Sequence, residues 1–265
     1  MLLPSGRCLG TPPVSTINRL RLGVDYRRWP VYVNWDGRSL LTLGESGSGK
    51  STLLSNLLWE AEPFIQDELA EFYGIDLKKL ELALSHDLFT QVATDIDQAI
   101  TLLDMLRTRM LERAEHMSGS IRDHTPTPQS PRIVLVIDEL AELFRYDAKT
   151  SKTVKDLLTS ILGMGRAVGF TVWGFSQRTL KDAIPVRDDF NGQRFALRMS
   201  EADARLFLPS AGLEAGLMPW TFPVDKPGIC CTWDTGRQQA LIFRAKYIDD
   251  NSLRALTRTS NTIIA

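Results

Sequence analysis

No run of apolar residues in this 265-residue chain approaches the ~18 needed to cross a bilayer as a helix. Met1 to Leu9 has no signal-peptide core. Cysteine is scarce: three residues, Cys8, Cys230 and Cys231, an odd count without metal-ligand spacing. That excludes a disulfide framework and points to a reducing, cytoplasmic setting. Any work at a membrane would then depend on a partner that takes the chain there. Charge of one sign is also missing, because 31 basic residues face 32 acidic ones. A net charge of −1 creates no global basic field for nucleic acid. Internal repeats and low-complexity tracts are absent.

The remainder is ordinary for a soluble globular protein, with 43% hydrophobic and 24% charged residues. One segment is not ordinary. Gly44-Glu45-Ser46-Gly47-Ser48-Gly49-Lys50-Ser51 follows the short apolar run Leu40–Leu43 and precedes a helical pattern from Thr52 to Trp59. Strand, glycine loop, lysine, hydroxyl and helix together make a phosphate-binding loop. The glycines let backbone N–H groups turn inward around phosphate, and the helix adds its positive end. Lys50 is expected on the β- and γ-phosphates of ATP and the Ser51 hydroxyl on Mg²⁺, with Gly44 to Thr52 as the nucleotide-binding stretch.

A second motif supports the first. Arg132-Ile133-Val134-Leu135-Val136-Ile137-Asp138-Glu139 is an unbroken apolar run ending in two acids. Such a run reads as a strand buried on both faces of a parallel sheet, where ligands sit beyond the carboxyl ends of the strands. Asp138 is expected to hold Mg²⁺, usually through water. Glu139 is expected to polarise the attacking water, because hydrolysis needs a base within reach. Asp138 and Glu139 also suit a helix cap before Leu140.

Residues 1–30 read as an arm or lead-in, with an arginine cluster at Arg19, Arg21, Arg27 and Arg28, and residues 31–265 as the main domain. Val31–Trp35 alternates and is expected to form a hairpin with 39–43. Further strands are expected at 71–76, 170–175 and 194–198, and helices at 152–164 and 201–208. The strongest helix runs from Thr94 to about Met117, with Thr94 and Asp97 as its capping signature. A terminal hairpin pairs 229–233 with 239–245 about Asp234-Thr235-Gly236. Helices alternating with buried strands imply an α/β fold with a mostly parallel central sheet flanked by helices.

The ordered set GESGSGKS, YGIDLKK, VLVIDELAEL, GRAVG, WGFSQR and RFALRMS resembles the FtsK/SpoIIIE motor domain from about Gly23 onward. The segment from Ile184 to Arg198 is similar to a narrower branch, the conjugal-transfer translocases of actinobacterial plasmids, integrated elements and phages. The resemblance implies a RecA-like P-loop ATPase that forms a ring, generally a hexamer, and pumps double-stranded DNA. It implies that Gln177 senses the γ-phosphate and that Arg166 reaches a neighbouring subunit's nucleotide. Arg166 equally suits a helix C-terminal dipole contact. Arg145, Lys149, Lys152, Lys181 and Arg187 are the candidate DNA-phosphate contacts. Thr179 stands where the family often has proline. The membrane helices and winged helix of the family's cellular motors are not evident, so anchoring and loading are expected from a separate membrane or DNA-loading partner. The same fold also powers type VII protein export, which stays open as the alternative.

Overall fold

Ten strands join in one sheet with the order β2-β1-β10-β9-β8-β3-β7-β6-β4-β5 among the described residues. The structure is a computed structural model and describes residues 15–118, 123–178, 182–190 and 192–258. In chain order the strands are β1 Arg19–Asp25, β2 Pro30–Asn34, β3 Leu40–Leu43, β4 Ala70–Ile75, β5 Gln91–Ala93, β6 Arg132–Ile137, β7 Phe170–Ser176, β8 Gln193–Ala196, β9 Ile229–Asp234 and β10 Gln239–Ala245. The helices are α1 Lys50–Gln66, α2 Ile96–Met117, α3 Ala148–Met164, α4 Glu201–Phe207, α5 Ser210–Glu214 and α6 Asp250–Arg254.

Every residue of β3, β6 and β7 is buried. Strands of that kind need cover on both faces, and they occupy the parallel centre. Alternate residues feed two cores. Leu41, Leu43, Ile133, Leu135, Ile137 and Val172 pack toward α2 and α3. Leu40, Val134, Val136, Trp173 and Phe175 pack toward α1. The second core is aromatic, with Phe72 edge-on to Trp173 at 5.2 Å and Trp35 tilted against Trp173 at 5.9 Å.

Three expectations need correction. The anticipated hairpin of 31–35 with 39–43 does not form. β2 pairs with β1, whereas β3 lies between β7 and β8. The reason is visible in burial: β2 alternates, as an outer strand does, while β3 is covered on both sides. The chain therefore crosses the sheet after Asp36-Gly37 instead of folding back. The second correction concerns the lead-in, which contributes β1 and so builds part of the sheet. Finally, the cap of α2 falls one residue later than Thr94. Asp95 Oδ1 accepts from the Gln98 N–H at 2.9 Å, and the Gln98 side chain accepts from the Thr94 N–H at 3.0 Å. Strands β4, β6, β7 and β8, the helices at 96–117, 148–164 and 201–207, and the β9–β10 hairpin agree with the reading of the sequence. Cys8 lies outside the described residues. Cys230 and Cys231 are buried free thiols in β9, and burial pushes the Cys231 thiol up to about 12.

Candidate nucleotide site

Register brings the site together. Leu43 at the end of β3 stands opposite Ser176 in β7 and Ala196 in β8. Ile137 at the end of β6 stands opposite Ile75 in β4. The residues that follow these strands, Gly44, Gln177, Asp138 and Asp76, thus emerge at one edge. Two loop bonds tie them: Gly44 N–H to Ser176 O at 3.2 Å, and Asp138 N–H to Ile75 O at 3.1 Å.

The glycine loop has the shape its sequence demands. Gly49 sits at φ +99°, in the left-handed region. A Cβ there would come within 2.1 Å of the Gly228 backbone nitrogen, so only glycine fits. Gly228 in turn donates its N–H to Ser48 O at 2.9 Å, which backs the loop with the start of β9. On the other side Arg198 bonds Glu45 Oε2 at 2.6 Å and Ser46 O at 3.3 Å. Helix α1 begins with no side-chain cap and no acid in its first turn. Its first N–H groups and positive end therefore face the cavity, as an anion requires.

That cavity measures about 470 Å³ and is lined by Ser46, Gly47, Gly49 to Thr52, Lys78, Leu80, Glu81, Asp138, Glu139, Gln177 and Pro227. Lys50 Nζ donates to the carbonyls of Gly44 at 2.8 Å and Glu45 at 3.1 Å. Burial lowers its pKa, and Glu139 and Asp138 oppose that shift. Burial pushes Asp138 up to about 7, with Glu81, Asp76 and Glu139 adding repulsion. Glu139 is buried. Its Oε1 accepts from the Ser176 hydroxyl and from the Gln177 N–H at 3.1 Å, and its Oε2 lies 3.5 Å from Lys78 Nζ. The carboxylates of Asp76, Glu81, Asp138 and Glu139 thus gather near two ammonium groups. A divalent cation held by Ser51 and Asp138 fits this donor set, since it offsets that excess negative charge. Among the described residues no group of three or more His, Cys, Asp or Glu side chains is placed to hold a metal by itself.

The expected residues Gly44 to Thr52, Asp138, Glu139 and Gln177 therefore converge. Arg166 does not join them. It is exposed in the turn Gly165–Val168, just before β7. β7 runs parallel to β3, so its start lies at the opposite edge, roughly 20 Å from its end. The expected DNA contacts scatter. Lys149 and Lys152 are exposed on α3, and Arg145 is exposed but paired with Glu142 at 2.9 Å. Arg187 corrects the expectation: it is buried beside Asp188, so it is not presented to a polymer on the surface. Lys181 and Thr179 lie outside the described residues.

Four site residues escaped the sequence reading: Lys78, Glu81, Ser176 and Arg198. The signal was present. Each lies at or shortly after the carboxyl end of a strand, the edge where such sheets bind ligands.

The fold and the site define a P-loop nucleotide-binding domain of the RecA-like class. The FtsK/SpoIIIE family model matches residues 14–126. Over that stretch the chain is similar to the FtsK/SpoIIIE family. It is 28% identical over 227 residues to the DNA translocase FtsK of Leptospira interrogans, covering 78% of this chain and 23% of that protein. The chain thus spans about a quarter of the length of such curated relatives. Among solved structures, the pCW3 conjugation coupling protein TcpA, a monomer form with ATPγS, matches with a TM-score of 0.68 at 20% identity, over 89% of this chain and 68% of that one. The cytoplasmic domain of the type VII secretion ATPase EccC of Thermomonospora curvata matches with a TM-score of 0.70 at 23% identity, over 92% of this chain and 32% of that one. At these identities the two structures speak for the fold alone.

Proposed function

We propose that this chain is the motor core of an ATP-driven translocase of double-stranded DNA, serving a mobile element or phage. The observation that carries the ATPase part is the convergence of Lys50, Ser51, Asp138, Glu139 and Gln177 on one cavity beyond the strand ends. The open N-terminus of α1 and Lys50 bind the phosphates of ATP. Ser51 and Asp138 would hold Mg²⁺, which would neutralise phosphate charge there. Glu139, fixed by Ser176 and the Gln177 N–H, accepts the proton of the attacking water. Gln177 sits one residue beyond β7 and registers the γ-phosphate.

Arg166 lies at the far edge of the sheet from its own nucleotide loop, so it acts on a neighbour's nucleotide or not at all. That placement supports a ring, and six subunits is the size we infer from the family. The DNA part rests on the relatives named DNA translocase FtsK. Among the described residues no helix is long and apolar enough to cross a membrane. A separate anchor or loading protein would bring this cytoplasmic motor to its membrane site.

The second reading, protein export, is favoured by the sequence likeness to the ESX secretion system protein EccC of Thermomonospora curvata, 27% identical over 227 residues. One experiment separates them. ATP turnover is measured with duplex DNA of increasing length and, separately, with an unfolded polypeptide. Stimulation by duplex DNA is the expected result. Stimulation by the polypeptide alone would turn the assignment to export.

A further inference from the structure

The wall of the nucleotide cavity facing the glycine loop is built by a loop organised around one buried carboxylate. Asp76 follows β4 and is 2% exposed. Its Oδ2 accepts from the N–H groups of Leu80 at 2.9 Å and Leu82 at 3.0 Å, and its Oδ1 from Lys78 at 3.2 Å. Lys79 takes a left-handed φ of +58°, which a lysine rarely adopts. A buried carboxylate satisfied by three backbone donors fixes its loop firmly. The result aims two side chains into the cavity. Glu81 Oε1 accepts from the Ser51 hydroxyl at 2.7 Å, and Lys78 Nζ stands 3.5 Å from Glu139 Oε2.

The two oxygens of Glu139 are held unequally. Oε1 takes the Ser176 hydroxyl and the Gln177 N–H, while Oε2 shares that same N–H at 3.2 Å and faces Lys78. Lys50 is engaged with the loop carbonyls of Gly44 and Glu45. Lys50 also feels the Glu139 charge, but Lys78 is the cation placed in direct ion-pair contact with Glu139 Oε2, from the opposite wall. We propose that Lys78 is a positioning residue for hydrolysis, which holds Glu139 Oε2 in place across the nucleotide cavity. It acts through Glu139, and the inference rests on the ATPase reading above. Outer partners that orient the ligands of a metal are worth about ten- to a hundredfold, and a cation orienting a catalytic carboxylate is set on that same scale.

The test compares the wild-type chain with Lys78→Ala and Lys78→Arg. The Lys78 side chain is 36% exposed and sits on a loop, so both variants should fold, which thermal unfolding checks. The expected result for Lys78→Ala is a kcat at least about tenfold lower with nucleotide affinity nearly unchanged, and substantial recovery in Lys78→Arg. An unchanged kcat overturns the proposal. So does a loss of affinity parallel to that of Lys50→Ala, because Lys78 would then bind nucleotide directly. A crystal structure of Lys78→Ala decides the matter without turnover. Glu139 turned away from the cavity supports the proposal, and Glu139 unmoved overturns it. A wild-type chain that hydrolyses no ATP under any condition would overturn the ATPase reading, and the crystallographic result would still judge Lys78.

Discussion

The Arg198 guanidinium bonds the Glu45 carboxylate at 2.6 Å and so ties the end of β8 to the nucleotide loop. Arg198 also donates to Ser46 O. Both partners belong to the loop that wraps phosphate, and the pair is partly exposed. Such a pair adds only about 0–1 kcal/mol to stability. Arg198→Ala should therefore leave the unfolding midpoint almost unchanged and weaken nucleotide binding several-fold. Calorimetric titration beside thermal unfolding checks both halves.

Lys50 and Glu139 should separate binding from chemistry. Lys50→Ala removes a charge from the phosphate site and should lower ATP affinity about ten- to a hundredfold. Glu139→Gln keeps the shape but cannot take a proton, so ATP should bind while turnover falls by about 10² or more. Binding and single-turnover measurements on the two variants distinguish these effects. Equal turnover in wild type and Glu139→Gln would remove Glu139 from the mechanism.

The nucleotide loop and the acidic strand were legible because their chemistry restricts composition. Gly49 must be glycine against Gly228, and a strand buried on both faces must be apolar from Ile133 to Ile137. Lys78 and Glu81 were not legible in the same way. Charged residues after a strand are common, and the aim of these two depends on Asp76 capturing three N–H groups. The pairing of β2 with β1 was missed for another reason. Alternation identifies a half-buried strand, but its partner is chosen by packing against α1. There Asn56 donates from its side chain to Arg21 O at 3.0 Å and Leu22 O at 2.9 Å.

Arg166 provides a test of assembly. From the far edge of the sheet it cannot reach its own nucleotide. If it serves a neighbour, Arg166→Ala should fold, bind ATP and turn over on the order of 10³ more slowly. Mixing it with Glu139→Gln protein should restore some activity, because some interfaces then contain both intact residues. Absence of restoration in demonstrated mixed rings would assign Arg166 to the end of α3.

His124 predicts a pH dependence of stability remote from the site. Its Nε2 lies 3.0 Å from Ser130 O, which accepts, and 3.4 Å from the Arg113 guanidinium, which donates. Its Nδ1 is buried without a partner. Burial lowers the pKa to about 4, and Arg113 adds to the shift. A histidine depressed in the folded state is protonated first in the unfolded chain. Its destabilising effect is therefore absent above the unfolded value of 6.5 and grows as pH falls toward about 4. His124→Asn should flatten the loss of thermal stability across that window. An identical slope in both proteins would show that other groups govern it.

Lys149 and Lys152 test the polymer. Both are exposed near the start of α3, whereas Arg145 shares its charge with Glu142. A motor that tracks phosphates needs contacts without base information, so each lysine lost should weaken binding about equally on unrelated duplexes. Each phosphate contact removed should also reduce the slope of log affinity against log salt by about 0.9. Arg145→Ala should change that slope less, because Glu142 already offsets its charge. Fluorescence anisotropy on two unrelated duplexes at several salt concentrations measures all three variants. A slope unchanged in Lys149→Ala and Lys152→Ala would take α3 off the DNA path. Sequence-dependent losses would mean that these lysines touch base edges and not the backbone.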